Sequence, residues 1–209
     1  MRGRLITIEG IDGAGKTTLA SGLERELDRH GVEAVLMREP GGVEASERVR
    51  ELVKDPALRI GARAEALLYA AARAQLVEEA LAPTLDAGRW VILDRFVDSS
   101  LAYQGAGRGL GMEDVARLNA FGTGGLEPDR TLLLEIDPAT GRERQGLRLG
   151  GFDRLEQEEQ PFFETIAGAY AELAARDPGR IRVIDAREST GHVLAAAWAA
   201  IVDLLPNNP

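Results

Sequence analysis

Residues 10–17 read Gly-Ile-Asp-Gly-Ala-Gly-Lys-Thr, and this order of glycines, lysine and threonine has the spacing of a Walker A phosphate-binding loop. The apolar residues 5–8 before it have strand character, and residues 19–27 after it recur at helical spacing until Gly31. A loop between a strand and a helix binds phosphate well, because the N–H groups at the helix N-terminus point towards the anion. A simple glycine-rich turn with an exposed lysine would not need these flanking elements. The segment therefore predicts an α/β protein that binds a nucleotide.

The residues of this loop have separate expected roles towards ATP·Mg²⁺ or GTP·Mg²⁺. Lys16 is one of only two lysines among the 25 basic residues, and it stands where a point charge reaches the β- and γ-phosphates. The hydroxyl of Thr17 is expected to ligate Mg²⁺. The expected ATP-binding residues of the loop are Gly10, Asp12, Gly13, Ala14, Gly15, Lys16, Thr17 and Thr18.

Composition limits the class of protein. The 209 residues carry a net charge of −9, opposite to the balance typical of proteins that bind nucleic acid or anionic membranes non-specifically. The absence of cysteine excludes disulfides, thiolate zinc sites and a cysteine nucleophile, and His30 and His192 lie far apart in sequence. No signal-peptide pattern follows Met1, and no uncharged apolar stretch of about 18 residues occurs. We therefore expect a cytoplasmic protein with no membrane or nucleic-acid partner.

Apolar runs alternate with helical patterns along the chain. Further strands are predicted at 32–37, 90–93, 131–136 and 181–184. Further helices are predicted at 43–54, at 62–87 with an interruption near Pro83, and at 113–121, 156–175 and 190–205. This order predicts an α/β P-loop NTPase fold, a five-stranded parallel sheet flanked by helices, in a single domain over residues 1–209. The least regular stretch, residues 139–153, is predicted to be a mobile lid loop.

The loop alone does not decide the kind of nucleotide-binding protein. A guanine-specific switch needs an Asn-Lys-x-Asp base reader, and the only other lysine, Lys54, follows Val53, so that class is excluded. A P-loop ATPase switch stays open as the non-enzyme alternative, although such proteins carry an extra lysine where this chain has Ile11. A small P-loop kinase needs an acceptor pocket, arginines on both sets of phosphates and a closing lid. Asp94 and Arg95 follow a predicted buried strand, so we expect Asp94 to hold Mg²⁺ through water and Arg95 to lie near the phosphates.

Five motifs carry a resemblance to a known family. In chain order they are residues 9–18 (EGIDGAGKTT), 38–42 (REPGG), 94–96 (DRF), 99–105 (SSLAYQG) and 153–156 (DRLE). With these motifs the chain resembles bacterial thymidylate kinase over essentially its whole length, and the set is specific although each motif alone is weak. The resemblance implies transfer of the γ-phosphoryl group of ATP to dTMP, giving dTDP and ADP for dTTP synthesis, by a homodimer that uses Mg²⁺.

The resemblance also implies roles on the donor side. Some members of the family carry an arginine inside the phosphate loop, whereas others have glycine there and place the arginines in the lid. Gly13 puts this chain with the second, lid-arginine type. The catalytic residues that the resemblance implies are Lys16, Arg95, Arg144 and Arg148, with Arg142 at the ATP side.

On the acceptor side, the resemblance implies residues that bind the base, the sugar and the phosphate of dTMP. Tyr69 stands where the family usually has a phenylalanine stacked on thymine, and Arg73, one turn later, matches an arginine that hydrogen-bonds the base. Tyr103 matches a ring against the sugar that disfavours a 2′-hydroxyl. The remaining substrate residues are Asp12 near the 3′-hydroxyl, Arg38, Arg50 and Arg95 at the phosphate, Glu39 and Pro40 in the motif of Arg38, and Ser100 and Gln104 at the base edge. A deoxynucleoside kinase or another nucleoside-monophosphate kinase stays open as the alternative enzyme.

Overall fold

A five-stranded parallel sheet forms the centre of the structure, a computed structural model that describes residues 2–146 and 152–206. The strands are β1 (Leu5–Glu9), β2 (Ala34–Arg38), β3 (Trp90–Asp94), β4 (Arg130–Glu135) and β5 (Ile181–Asp185). They lie in the order β2-β3-β1-β4-β5, and all neighbours are parallel. The predicted sheet is therefore confirmed.

Helices connect the strands in the described part of the chain. They are α1 (Lys16–Arg29), α2 (Glu44–Lys54), α3 (Ala62–Leu76), α4 (Ala82–Asp86), α5 (Val97–Ser100), α6 (Met112–Thr123), α7 (Pro138–Gly146), α8 (Gln160–Arg176) and α9 (Thr190–Ala199). A π-helical segment, Val77–Leu81, joins α3 to α4, and a second one, Leu101–Gly107, extends α5. A 3₁₀ turn, Val202–Leu204, follows α9.

Two hydrophobic cores lie on opposite faces of the sheet, because successive residues of a strand point to opposite sides. In β1, Ile6 and Ile8 belong to the larger core, whereas Leu5 belongs to the smaller one. In β3, Ile92 belongs to the larger core and Val91 to the smaller one. Strands buried on both faces read as unbroken apolar runs, which explains why the sequence predicts them.

The register of the sheet brings the chemically informative segments to one edge. Ile8 of β1 pairs with Asp94 of β3, and Asp94 pairs with Arg38 of β2. The glycine loop after β1, the segment after Arg38 and the Asp94-Arg95 pair therefore leave the sheet side by side. In open parallel sheets, ligands bind at the carboxyl ends of the strands, where these segments meet.

Two segments differ from the prediction. Residues 139–146 belong to α7 and are not an irregular loop, and the carboxylate of Asp137 accepts from the N–H and the hydroxyl of Thr140 at its start. Residues 97–107, for which no element was predicted, are helical, and Tyr103 packs into the larger core. Each segment contains two glycines, which weaken a helical pattern in sequence.

The remaining helices follow the prediction with shifted ends. The interruption expected near Pro83 is the π-helical turn just before it, since proline has no N–H to continue an α-helical ladder. The helix predicted from residue 156 begins at Gln160, and the one predicted to 205 ends at Ala199. Among the described residues, no helix combines the length and the apolar character needed to cross a membrane.

Candidate active site

A cavity of about 640 Å³ opens at the carboxyl ends of β1, β2 and β3. Most of the predicted site residues share it, although they come from segments far apart in sequence. Those that line it are Asp12, Gly13, Gly15, Lys16, Thr17, Thr18, Arg38, Glu39, Pro40, Arg50, Tyr69, Arg73, Asp94, Arg95, Ser100, Tyr103 and Gln104.

Lys16 lies within the glycine loop at the start of α1. Its Nζ donates to the carbonyl oxygens of Gly10 at 3.1 Å and Ile11 at 3.0 Å. Burial, followed by repulsion from Arg95, lowers the pKa of the Lys16 ammonium to about 8. The first N–H groups of α1 have no side-chain cap, so the helix N-terminus can bind an anion together with the ammonium.

Arg95 connects the phosphate loop to the opposite wall of the cavity. Its Nη2 donates to Oδ1 of Asp12 at 2.7 Å and to the hydroxyl of Tyr103 at 3.2 Å, and its guanidinium lies 5.0 Å from the Tyr103 ring centroid. Burial alone would raise the pKa of Asp12, but Arg95 and Lys16 hold it well below its usual range. The φ angle of Arg95 is 71°, a left-handed conformation that a residue other than glycine seldom adopts.

Three buried residues that sequence reasoning missed hold Arg95 in place. The hydroxyls of Ser99 and Tyr170 accept from Arg95 Nη1 at 3.0 and 3.5 Å, and both donate to Oε2 of Glu9, at 2.5 and 3.0 Å. The other oxygen of Glu9 accepts from the N–H of Phe96 at 2.7 Å. Glu9 belongs to the loop motif and could have been singled out there, whereas no sequence signal joins Tyr170 to Arg95.

Thr17 and Asp94 have the donor atoms that a magnesium site requires. Thr17 Oγ1 donates to Asp94 Oδ2 at 3.1 Å, and both residues line the cavity beside the phosphate loop. A hydroxyl and a carboxylate are hard oxygen donors, which Mg²⁺ prefers when it also keeps waters and binds phosphate oxygens. The two residues therefore fit Mg²⁺.

Arg38 and Arg50 add positive charge to the cavity wall. Arg38 Nη2 lies 3.1 Å from Oε1 of Glu47, and Arg50 Nη1 donates to the carbonyl oxygen of Pro40 at 2.8 Å. Burial, followed by repulsion from Arg38, lowers the pKa of Arg50. Cations that repel one another around a cavity are stabilised by a bound anion, so this wall suits a phosphate group.

Arg73 is 2% exposed and uses four of its five N–H groups within the protein. Nε donates to Oε2 of Glu39 at 2.7 Å, and Nη1 donates to Ser100 Oγ at 2.9 Å and to Asn119 Oδ1. Nη2 donates to the carbonyl oxygen of Phe96 at 2.9 Å. Among the contacts of the described residues, one N–H of Nη2 remains, so Arg73 can donate one hydrogen bond to a ligand.

Tyr69 and Gln104 complete this end of the cavity. Tyr69 lies one helical turn before Arg73 and is half-buried, which suits an aromatic wall against a flat ring. Burial raises the pKa of its hydroxyl, which stays neutral, and no described residue hydrogen-bonds that hydroxyl. Gln104 is buried and donates from Nε2 to Oε1 of Glu65 at 2.9 Å.

Four predicted residues in the described part of the chain do not line this cavity. Gly10 and Ala14 are buried in the loop but do not line the cavity. Arg142 and Arg144 lie on α7, where their Nη1 atoms donate to backbone carbonyl oxygens at 3.1 and 2.9 Å. Arg148 lies outside the described residues.

Comparison with known proteins gives a consistent result. A family model described as thymidylate kinase matches residues 8–197. The thymidylate kinase of Halorhodospira halophila is 50% identical over 98% of this chain and 96% of its own length, and that of Lactobacillus delbrueckii subsp. bulgaricus is 46% identical over 99% of each. The crystal structure of thymidylate kinase from Ehrlichia chaffeensis superposes with a TM-score of 0.78 at 29% identity, covering 97% of this chain and 99% of that one. The chain belongs to the thymidylate kinase family.

Proposed function

We propose that this chain transfers the γ-phosphoryl group of ATP to dTMP, giving ADP and dTDP for dTTP synthesis. The observation that carries the proposal is the position of Arg95, which pairs with Asp12 of the phosphate loop and with Tyr103 of the opposite wall in a single cavity. A cation between two phosphate sites is what transfer from one phosphate to another requires. The family membership and the naming of both relatives as thymidylate kinases support the same pair of substrates.

The proposed reaction depends on positioning and charge neutralisation more than on a general base. An acceptor phosphate oxygen, already ionised at neutral pH, attacks the γ-phosphorus in line while the bond to the β-phosphate oxygen breaks and ADP leaves. Lys16 and the N-terminus of α1 hold the donor phosphates, while Arg95, Arg38 and Arg50 hold the acceptor phosphate. Asp12 keeps the Arg95 guanidinium oriented through their 2.7 Å ion pair.

The donor side adds Mg²⁺ and the lid arginines. Thr17 would ligate Mg²⁺ directly and Asp94 would hold it through water, and the bound ion neutralises phosphate charge. We propose that Arg144 and Arg148 act on the transferring phosphoryl group and that Arg142 binds at the ATP side, with α7 packed against the phosphate loop. Support comes from Gly141 of α7, whose carbonyl oxygen would lie 2.1 Å from a Cβ built on Gly13.

The proposed assembly is a homodimer, with each chain acting as one domain. Phe121 on α6 is 91% exposed and Leu67 on α3 is 57% exposed, and these two helices pack on each other. Large exposed apolar side chains on adjacent helices are typical of an interface between protein chains. We also propose a cytoplasmic location, because the reaction consumes ATP.

The experiment that tests the proposed function is an ADP-release assay with ATP·Mg²⁺ and one acceptor at a time. We expect the highest kcat/KM with dTMP, a modest loss with dUMP and far slower reaction with AMP, CMP and thymidine. AMP has a larger base, CMP has a different base edge and a 2′-hydroxyl, and thymidine lacks the phosphate. Faster phosphorylation of thymidine would indicate a deoxynucleoside kinase. Faster phosphorylation of AMP or CMP would indicate another nucleoside-monophosphate kinase.

A further inference from the structure

Glu65 on α3 is a fully buried carboxylate that belongs to none of the sequence motifs. Its Oε1 accepts from Gln104 Nε2 at 2.9 Å and from Arg108 Nε at 3.2 Å. Its Oε2 lies 2.6 Å from Arg154 Nη2 and 3.2 Å from Arg108 Nη2. Two guanidinium groups thus surround this side chain: Oε1 accepts two hydrogen bonds, whereas Oε2 makes close ion-pair contacts without a hydrogen bond.

This arrangement determines which way the Gln104 amide faces. An amide carries one donor side and one acceptor side, and only its NH₂ can face a carboxylate that accepts. The carbonyl oxygen of Gln104 is therefore directed away from Glu65. No donor among the described residues hydrogen-bonds this oxygen. The oxygen is also not one of the wholly buried polar atoms that lack a partner, so it is not fully enclosed by the described residues, and Gln104 lines the cavity. The cavity thus presents an amide acceptor to a bound base.

Arg73 supplies the complementary donor at the same end of the cavity. Its remaining Nη2 N–H can donate one hydrogen bond. Arg73 also donates to Ser100, which lies four positions before Gln104 in the chain, so Arg73 and Gln104 are at the same end of the cavity. An acceptor beside a donor matches the N3–H and the C4 carbonyl of thymine or uracil. Cytosine presents the reverse order, an N3 acceptor and a C4 amino donor, and would leave the buried polar groups unpaired.

We propose that Glu65 is a positioning residue that fixes the polarity of the Gln104 amide, so that the cavity accepts bases with an N3–H and rejects cytosine. The inference rests on the proposed function, because it assigns the base selectivity of the same acceptor site. Glu65 acts through Gln104 and does not itself contact the base. Its ion pairs with Arg108 and Arg154 keep the carboxylate in the orientation that the amide requires.

The test compares dTMP with dCMP as acceptors in the full-length protein. In Glu65→Gln, the arginines compete for the single oxygen of the new amide, so Gln104 is free to turn its NH₂ towards the cavity. We expect the ratio of kcat/KM for dTMP over that for dCMP to fall at least about tenfold, with the KM for ATP unchanged. Glu158→Gln is the matched control, since Glu158 accepts from Arg108 at 2.5 Å without contacting Gln104, and we expect it to keep the ratio.

A second variant allows the same test if Glu65→Gln does not fold. Glu65→Gln combined with Arg108→Gln removes one positive and one negative charge together, and the same fall in the ratio is expected. A folded variant of either kind with unchanged selectivity would overturn the proposal, as would a wild-type protein that phosphorylates N3-methyl-dTMP as well as dTMP. A wild-type protein that phosphorylates no pyrimidine monophosphate would instead contradict the proposed function.

Discussion

Lys16 is the residue whose removal is expected to cost most activity. Its buried ammonium lies within the phosphate loop, where a preorganised charge acts mainly on the transition state. We predict that Lys16→Ala lowers kcat about 100-fold or more in a protein that still folds. Steady-state kinetics with far-UV circular dichroism measure this, and Arg48→Ala, at a side chain 73% exposed, is the control. A folded Lys16→Ala protein with near-normal kcat would exclude the proposed role.

Glu9 gives the folded state a dependence on pH. Burial, followed by repulsion from Asp98, raises the pKa of Glu9 from 4.5 to about 7. A carboxyl with a raised pKa in the folded state contributes stability below pH 4.5, and this contribution is lost as the pH rises through 7. We predict that the free energy of unfolding falls less between pH 5 and pH 8 in Glu9→Gln than in the wild type. Urea unfolding at both pH values measures this, with the exposed Glu51→Gln as control; an equal fall in both proteins would refute it.

Site residues could be predicted where the chain itself keeps them together. Lys16 and Thr17 lie within one glycine loop, and Arg95 directly follows a buried strand, so spacing alone indicates their chemistry. Glu65 and Tyr170 could not be found in this way, because the roles proposed for them rest on contacts with Gln104 and Arg95 across the fold. Buried acids and hydroxyls on helices look like ordinary polar positions in a sequence.

Helix α7 packs closely against the phosphate loop at Gly141, where there is no room for a side chain. A Cβ built on Gly141 would lie 2.8 Å from the carbonyl oxygen of Asp12 and 3.1 Å from Ile11 Cδ1, whereas one built on Gly146 of the same helix has no atom of the described residues within 4 Å. We predict that Gly141→Ala displaces α7 and lowers kcat/KM for ATP about 10- to 100-fold, because small displacements at a reacting site are costly. Gly146→Ala should leave kinetics unchanged. Equal behaviour of the two variants would contradict this coupling between α7 and the loop.

The elements could be predicted where burial imposes a pattern. The strand over Trp90–Asp94 is apolar because both faces of the sheet are covered, so its pattern survives in the sequence. Helix α7 over Pro138–Gly146 has only Gly141 and Gln145 buried, so no apolar stripe marks it. The π-helical Leu101–Gly107 is helical through its packing on α6 and α8, contacts that a local pattern does not contain.

The whole molecule is expected to associate through the face that carries Phe121. We predict that Phe121→Glu converts the proposed dimer to a monomer, because a charge buried in an apolar interface loses its hydration. Sedimentation velocity measures the mass, and Val183→Glu, at a 50% exposed position on the edge strand β5, is the control that should stay dimeric. A wild-type monomer, or a Phe121→Glu dimer, would refute this assignment.

The central claim is that the cavity joins a donor and an acceptor phosphate, so that the phosphoryl group passes directly between two nucleotides. The most direct measurement follows the label in a reaction of the wild-type protein with γ-³²P-labelled ATP, Mg²⁺ and dTMP, with the products separated by chromatography. We predict that the label appears in dTDP in equal amount to the ADP formed, and that omitting dTMP stops ADP release. Label released only as inorganic phosphate, at a rate independent of dTMP, would contradict the account and indicate an ATPase switch.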